Sequence, residues 1–70
     1  MRFAIVIEKS PSHFAAYVPD LPGCIATSAN VTETVSLIRE PIEFHLEGLK
    51  ADGLPIPPPS NQVEYVDFPA

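Results

Sequence analysis

Hydrophobic positions spaced three and four residues apart predict a helix in the middle of the chain. They form one apolar stripe between Asn30 and Gly53, which is the pattern of a helix packed on a sheet. Asn30 is a good N-cap, Glu33 completes an approximate capping box, and Gly53 suits the left-handed position after a helix C-terminus. We therefore predict one helix over this stretch. Its stripe consists of Val31, Val35, Ile38, Ile42, His45 and Leu49, with Leu46 beside it.

Shorter apolar runs on either side of the helix predict strands. Residues 3–8, 13–18 and 24–28 precede it, and residues 62–68 follow it with the same alternation. Turn residues separate the first two runs, which we expect to form an antiparallel hairpin. The chain is thus predicted to be a single α+β domain, a small β-β-β-α-β unit with one helix packed on an antiparallel-rich sheet. The side chains of the first strand expected to face the helix are Phe3, Ile5 and Ile7.

Two features of the predicted helix depart from the stripe. Leu37 and Phe44 lie about 100° away from it, either as the edge of a wide core face or as a second apolar patch that meets another subunit. Pro41 costs about 3 kcal/mol in a helix interior, so it either kinks the helix or opens a second short helix. This flank and the last strand supply the candidate protein-binding residues, which are Leu37, Glu40, Pro41, Phe44, Glu47, Tyr65 and Phe68.

The length and charge of the chain indicate a protein partner. A domain of 70 residues has a core that barely offsets a conformational entropy of about 1.5 kcal/mol per ordered residue, so we predict a homo-oligomer, with a dimer favoured. The net charge is −5 and the four basic residues form no cluster, which argues against direct nucleic-acid binding. Mild acidity aids solubility, and it also suits a basic protein partner through electrostatic steering.

The chain shows no pattern of catalytic or metal-binding residues. Cys24 is the only cysteine and His13 and His45 are the only histidines, a set without metal-ligand spacing. Neither histidine has a sequence neighbour suited to be a nucleophile or an orienting acid, so a hydrolase that uses either with a glutamate is the least favoured class. We predict a protein that is not an enzyme and has no cofactor. Residues 3–7 are too few for a signal peptide or a membrane span, and a cytoplasmic location is expected.

Three segments of the chain together resemble a known family. Residues 16–24 read AYVPDLPGC, residues 43–49 read EFHLEGL, and residues 52–60 read DGLPIPPPS. In this combination, which spans nearly the whole chain, they resemble the HicB-like antitoxins. The proline-rich part is expected to be a stiff connector in preference to a PxxP recognition motif. The signature loop, which we expect to be structural, comprises Pro19, Asp20, Leu21, Pro22, Gly23 and Cys24.

The resemblance implies a fold and a function. The implied fold is a partial ribonuclease-H-like unit, and the implied function is to bind and neutralise a small basic HicA-type toxin that cleaves messenger RNA. Members often add a C-terminal DNA-binding segment and repress their own operon, but no separate DNA-binding domain is expected in residues 1–70. Pro41 stands where the family usually has a small residue. The alternative is an orphan homo-oligomeric domain that has a structural role or binds a small ligand.

Overall fold

Three antiparallel strands and one helix make up the structure, a computed structural model in which residues 1–69 are described. Strand β1 is Val6–Lys9, β2 is Phe14–Tyr17, β3 is Ile25–Ser28, and helix α1 is Val31–Ala51. The strands lie in the order β1-β2-β3, and each neighbouring pair is antiparallel. The predicted α+β class is confirmed, as are the hairpin and the helix. The sheet is open, with β1 at one edge and β3 at the other.

The alternation along the strands gives the sheet one covered face and one open face. Ile7, Ala16 and Ala26 lie side by side across the three strands and belong to the core or pack against it. The adjacent row points the other way, because successive side chains of a strand alternate between faces. It includes Tyr17 and Ile25, and Ile25 is 66% exposed. Tyr17, on the same face, is 40% exposed.

The core lies between α1, the covered face of the sheet and the loop that joins β2 to β3. Leu21 from the loop and Ile38 from the helix are its largest fully buried hydrophobic side chains. Phe3, Ile5 and Ile7 pack against this core from partly buried positions, as predicted. The helix lies mainly over β3 and β2. Since burial of a Leu or Ile side chain stabilises by about 1.5–3 kcal/mol, these two residues hold loop and helix together.

Both ends of α1 are capped as the sequence predicts. The side-chain oxygen of Asn30 accepts a hydrogen bond from the Glu33 backbone N–H at 2.7 Å. At the other end Gly53 has a φ of 69°, in the left-handed region that favours glycine. The N–H of Leu54 then donates to the Leu49 carbonyl at 2.9 Å, which is the long bond of a Schellman motif. These contacts fix where the helix begins and ends.

Helix α1 continues through Pro41 without a break. Of the two arrangements that the sequence leaves open, a division into two short helices is therefore wrong. A proline has no N–H, so the Leu37 carbonyl lacks its usual helical donor, and its position on the exposed side lets solvent satisfy it. The Cys24 thiol donates to the Pro41 carbonyl at 3.6 Å. This contact supports the helix from the sheet side at the proline itself.

The buried face of α1 is rotated relative to the predicted stripe. Val31 and Val35 are each more than a third exposed, whereas Thr34, which is absent from the predicted stripe, is fully buried. The Thr34 hydroxyl donates to the Asn30 carbonyl at 2.8 Å and lies 2.6 Å from the Ser28 hydroxyl. This polar contact draws the first turn of the helix toward the end of β3. Because a threonine does not register in a hydrophobic pattern, the sequence could not indicate the rotation.

The predicted last strand is not formed, so the described element order is β-β-β-α. Residues 62–68 belong to no strand and are exposed throughout. Residues 3–5 also lie outside β1, because the strand that pairs with β1 ends at Tyr17. Beyond Tyr17 the chain turns into the β2–β3 loop, where the Val18 N–H donates to the Cys24 carbonyl at 3.3 Å. An alternating segment becomes a strand only beside another backbone that pairs with it. Residues 62–64 lie beside residues 2–4, but an open groove separates the two segments and no strand pairing forms between them within residues 1–69.

We expect Thr34→Val to lower the free energy of unfolding by about 1 kcal/mol, a fall of roughly 4–8 °C in melting temperature. The substitution keeps the side-chain volume and removes a buried hydroxyl with two partners. Thermal unfolding followed by circular dichroism measures the change. Thr32→Val, at an exposed position in the same turn, is the matched control and should stay within about 0.5 kcal/mol of the parent. Equal losses in the two variants would assign the effect to helix propensity and not to the Ser28 contact.

Candidate protein-binding site

One flank of α1 carries an exposed row of apolar and acidic side chains. We call it the helix stripe, and it is formed by Leu37, Glu40, Phe44 and Glu47, which are exposed, and by Pro41, which is half-buried. At 3.6 residues per turn, these residues fall within about 120° of the helix circumference and along about 15 Å of its axis. Phe44 is 78% exposed and Leu37 is 46% exposed. Five of the seven candidate protein-binding residues are thus brought together on one surface.

The charges on the helix stripe are acidic. Glu40 and Glu47 are exposed on it. The two basic residues of the helix, Arg39 and Lys50, lie roughly 120–140° around the axis from the centre of the stripe. The stripe therefore presents apolar area beside negative charge, a combination that favours a partner with an apolar contact point and a basic rim.

The helix stripe lies on the side of α1 that borders β3. Pro41 is at its inner margin and accepts the hydrogen bond from Cys24, the residue before β3. Thr34 contacts Ser28, the last residue of that strand. The opposite flank of the helix, which includes Arg39, faces the start of the chain, which leads into β1. The helix thus separates two surfaces that lie toward different edges of the sheet.

The other two candidate residues, Tyr65 and Phe68, do not lie on the helix stripe. They belong to residues 62–68, which we call the C-terminal segment, and they are 90% and 81% exposed. The first residues of that segment run beside Arg2 and Phe3, at the edge of the sheet formed by β1. The candidate set is therefore divided between two surfaces, a division that sequence periodicity alone could not show.

Two open grooves line the β1 side of the domain. The first, of about 310 Å³, lies between the N-terminal arm, defined as residues 1–5, and α1. Phe3, Ile5 and Ile38 are among the residues that line it. The second, of about 450 Å³, lies between the N-terminal arm and the C-terminal segment. Both are open to solvent, in contrast to the enclosed clefts that usually hold small molecules.

The signature loop between β2 and β3 is held by its own backbone. Leu21 N–H donates to the Val18 carbonyl at 3.1 Å, and Cys24 N–H donates to the Leu21 carbonyl at 3.2 Å. Gly23 has a φ of 90°, which favours glycine at that position. Burial raises the pKa of the Cys24 thiol, so it stays protonated and is a poor nucleophile. The signature loop is therefore a folded turn that packs against the core through Leu21 and Cys24.

Asp20 joins this loop to a segment that lies 40 residues further along the chain. Its carboxylate accepts from the Ser60 N–H and hydroxyl, at 3.2 and 2.8 Å. It also accepts from the backbone and side-chain N–H groups of Asn61, at 3.2 and 2.7 Å. These bonds lower the pKa of Asp20, and the Ser60 hydroxyl contributes most. No local sequence pattern indicates this contact, which fixes the point from which the C-terminal segment departs.

His13, one of the two candidate proton-transfer groups, contacts hydroxyls in the turn between β1 and β2. Its Nδ1 lies 2.8 Å from the Ser10 hydroxyl and 3.2 Å from the Ser12 hydroxyl. The Ser10 hydroxyl also donates to the His13 carbonyl at 3.0 Å, as in a turn contact. Among residues 1–69, no three His, Cys, Asp or Glu side chains are grouped so as to hold a metal ion. In the same range, no helix is long and apolar enough to cross a membrane.

Comparison with known proteins links the chain to one family. The family model described as "HicB_like antitoxin of bacterial toxin-antitoxin system" matches residues 3–70. An uncharacterized 14.9 kDa protein from the rep-hol intergenic region of Haemophilus phage HP1 is 35% identical over 74 residues, which cover 97% of this chain and 56% of that protein. A UPF0150 protein of Helicobacter pylori is 39% identical over 54 residues, which cover 77% of this chain and 75% of that protein. The chain thus spans little more than half of the phage relative, and no solved structure gives a significant match.

We expect the bonds that hold Ser60 and Asn61 to fail in acid. Because the pKa of Asp20 is lower in the folded chain than in the unfolded one, their contribution is complete above the ordinary aspartate value of about 3.9. It is lost as the pH falls through the lowered pKa. The amide chemical shifts of both residues should therefore titrate with a midpoint below about 3.9. Asp20→Asn should abolish this titration, while Asp52→Asn at the helix C-cap is the control that preserves it; a midpoint above the ordinary value would contradict the hydrogen bonding.

Proposed function

Because the chain belongs to the HicB-like antitoxin family, we propose that it binds and neutralises a small basic toxin of the HicA type through the helix stripe. The observation that carries the proposal is the exposure of Phe44 among acidic residues on a rigid helix. A large aromatic side chain that is 78% exposed, next to the exposed Leu37, forms an apolar patch of the kind that marks contact sites.

The helix stripe combines contact area with charge. Leu37, Pro41 and Phe44 offer the apolar part, and burial of a phenylalanine alone stabilises a complex by about 1.5–3 kcal/mol. Glu40 and Glu47 offer negative charge within a chain of net charge −5, which accelerates encounter with a basic protein. Caps at both ends and the buried Ile38 hold the helix in place, so the helix loses little conformational entropy when a partner binds.

The proposed mechanism is occlusion of the toxin's RNA-binding surface. A protein that binds RNA needs exposed basic groups to neutralise phosphates. Glu40 and Glu47 would pair with such groups, while Phe44 anchors the complex nearby. The two carboxylates then occupy positions that phosphates of the messenger RNA would otherwise take. No bond is made or broken by the antitoxin, in agreement with a family that is generally not catalytic.

An orphan domain that self-associates or binds a small ligand is the alternative. The grooves beside β1, which contain apolar side chains such as Phe3 and Ile5, are the observation that favours it. The two functions use different surfaces, because the grooves lie on the β1 side and the helix stripe borders β3. A substitution on one surface therefore tests one function without disturbing the other.

The test begins with affinity capture of the tagged chain from its native cells and continues with an RNA cleavage assay of the small basic protein retained. We expect the parent chain to stop cleavage when the two proteins are equimolar. Phe44→Asp should raise the dissociation constant of the complex roughly 30-fold or more, because loss of a central aromatic anchor costs about 2 kcal/mol or more. Cleavage should return accordingly.

Phe68→Asp is the matched control for this experiment. It makes the same substitution at a phenylalanine that is 81% exposed but lies outside the helix stripe. It should inhibit cleavage as the parent does. A stable complex that leaves RNA cleavage unchanged would refute neutralisation. Equal loss of inhibition in the two variants would refute the assignment to the helix stripe, and capture of the bait alone would favour the orphan domain.

A further inference from the structure

The free edge of β1 lies next to a segment with the sequence of a strand. Strand β1 pairs only with β2 within residues 1–69, over Val6–Lys9. Residues 3–5 extend the same apolar alternation but have no partner strand in the described chain. Such an edge presents unpaired backbone N–H and C=O groups to any extended chain of suitable sequence.

The C-terminal segment is more exposed than its composition favours. Tyr65, Val66 and Phe68 are among the most exposed large hydrophobic side chains of the domain, at 74–90%. In an extended strand Glu64, Val66 and Phe68 share one face, and Val63, Tyr65 and Asp67 share the other. The radius of gyration is 13.9 Å, whereas a compact domain of this length has about 11 Å. This excess agrees with a segment that extends away from its own domain.

The groove between the N-terminal arm and α1 complements the segment in chemistry. Apolar side chains form most of its lining, and Arg2 and Arg39, two of the four basic residues of the chain, also line it together with one acid, Glu43. On the face that carries Val66 and Phe68, the C-terminal segment offers the opposite charge, on Glu64. The apolar lining and the positive charge of the groove therefore both complement an extended segment of this composition.

The residues just before the C-terminal segment are held by hydrogen bonds, whereas the segment itself is exposed throughout. Ser60 and Asn61 are bound to Asp20 by four hydrogen bonds, and the run of prolines before them is stiff. Residues 62–64 then pass residues 2–4 across the groove of about 450 Å³. An extended run of seven residues reaches about 23 Å. That length allows it to span a strand of a neighbouring molecule.

We propose that the C-terminal segment of one copy pairs with the free edge of β1 in a second copy, where its apolar side chains fill the groove beside α1. The exchange is reciprocal about a two-fold axis, so each copy gives one segment and receives one. Residues 62–68 and residues 3–9 are equal in length, so each sheet gains a complete fourth strand. The strand predicted from the sequence thus forms between two copies, and the dimer closes both free edges of β1.

The mass of the full chain in solution gives the first test. Analytical ultracentrifugation over a concentration series should show a dimer of twice the 7.6 kDa monomer. Phe68→Asp should raise the dissociation constant of the dimer by about tenfold or more, because it removes a buried aromatic anchor. Phe44→Asp makes the same change on the helix stripe and should leave the dimer intact. A parent chain that stays monomeric, or a dimer that Phe68→Asp does not weaken, would overturn the proposal.

A charge exchange then separates pairing between copies from pairing within one. One chain carries Arg2→Glu with Arg39→Glu, and the other carries Glu64→Lys, on the face of the segment that carries Val66 and Phe68. Each chain alone places like charges in the exchanged contact and should be monomeric where the parent is dimeric. When the two are mixed, each groove meets a segment of opposite charge, so a dimer containing one copy of each should form. With both chains shown to be folded by circular dichroism, the absence of that mixed dimer would overturn the proposal.

Discussion

The shared burial of Leu21 and Ile38 determines how the rest of the domain is arranged. Leu21 brings the β2–β3 loop under the helix, and Ile38 anchors the helix over the strands that this loop connects. The contact of Thr34 with Ser28 holds the first helical turn on the same side. The helix is therefore displaced toward β3, and the inner surface of β1 is only partly covered. The open groove between the N-terminal arm and α1 follows from that displacement.

One consequence is that the two candidate interaction surfaces lie on different flanks of the helix. The helix stripe, with Phe44 at its centre, borders β3, while the groove with Arg39 on its lining faces β1. The helix between them is capped at both ends and continuous through Pro41. A partner bound on one flank therefore leaves the other accessible. In a dimer formed by strand exchange, both helix stripes would remain exposed, and two toxin molecules could bind.

Local signals were sufficient to predict the parts of the fold that depend on neighbouring residues. The Asn30 cap, the Gly53 terminus and the first hairpin each depend on contacts within a few positions, and all three are confirmed. The rotation of the helix depended instead on a buried hydroxyl, at Thr34, which hydrophobic periodicity does not detect. The bonds from Asp20 to Ser60 and Asn61 join positions that only the folded chain brings together. The helix stripe could be predicted because helical periodicity shows which residues share one side of a helix. The spacing of residues along the chain does not identify the partner that binds there.

The missing last strand shows why a correct propensity does not ensure a formed element. Residues 62–68 have strand composition, yet pairing requires a second backbone in register, and in a single copy a groove separates the segment from residues 2–4. Only five hydrophobic residues of the described chain are buried, so a single copy has little free energy with which to order another segment. A partner that binds only the folded chain adds stability by mass action. The stability of this domain and its interactions are therefore coupled: pairing at β1 or occupation of the helix stripe would each stabilise the fold that makes the other surface.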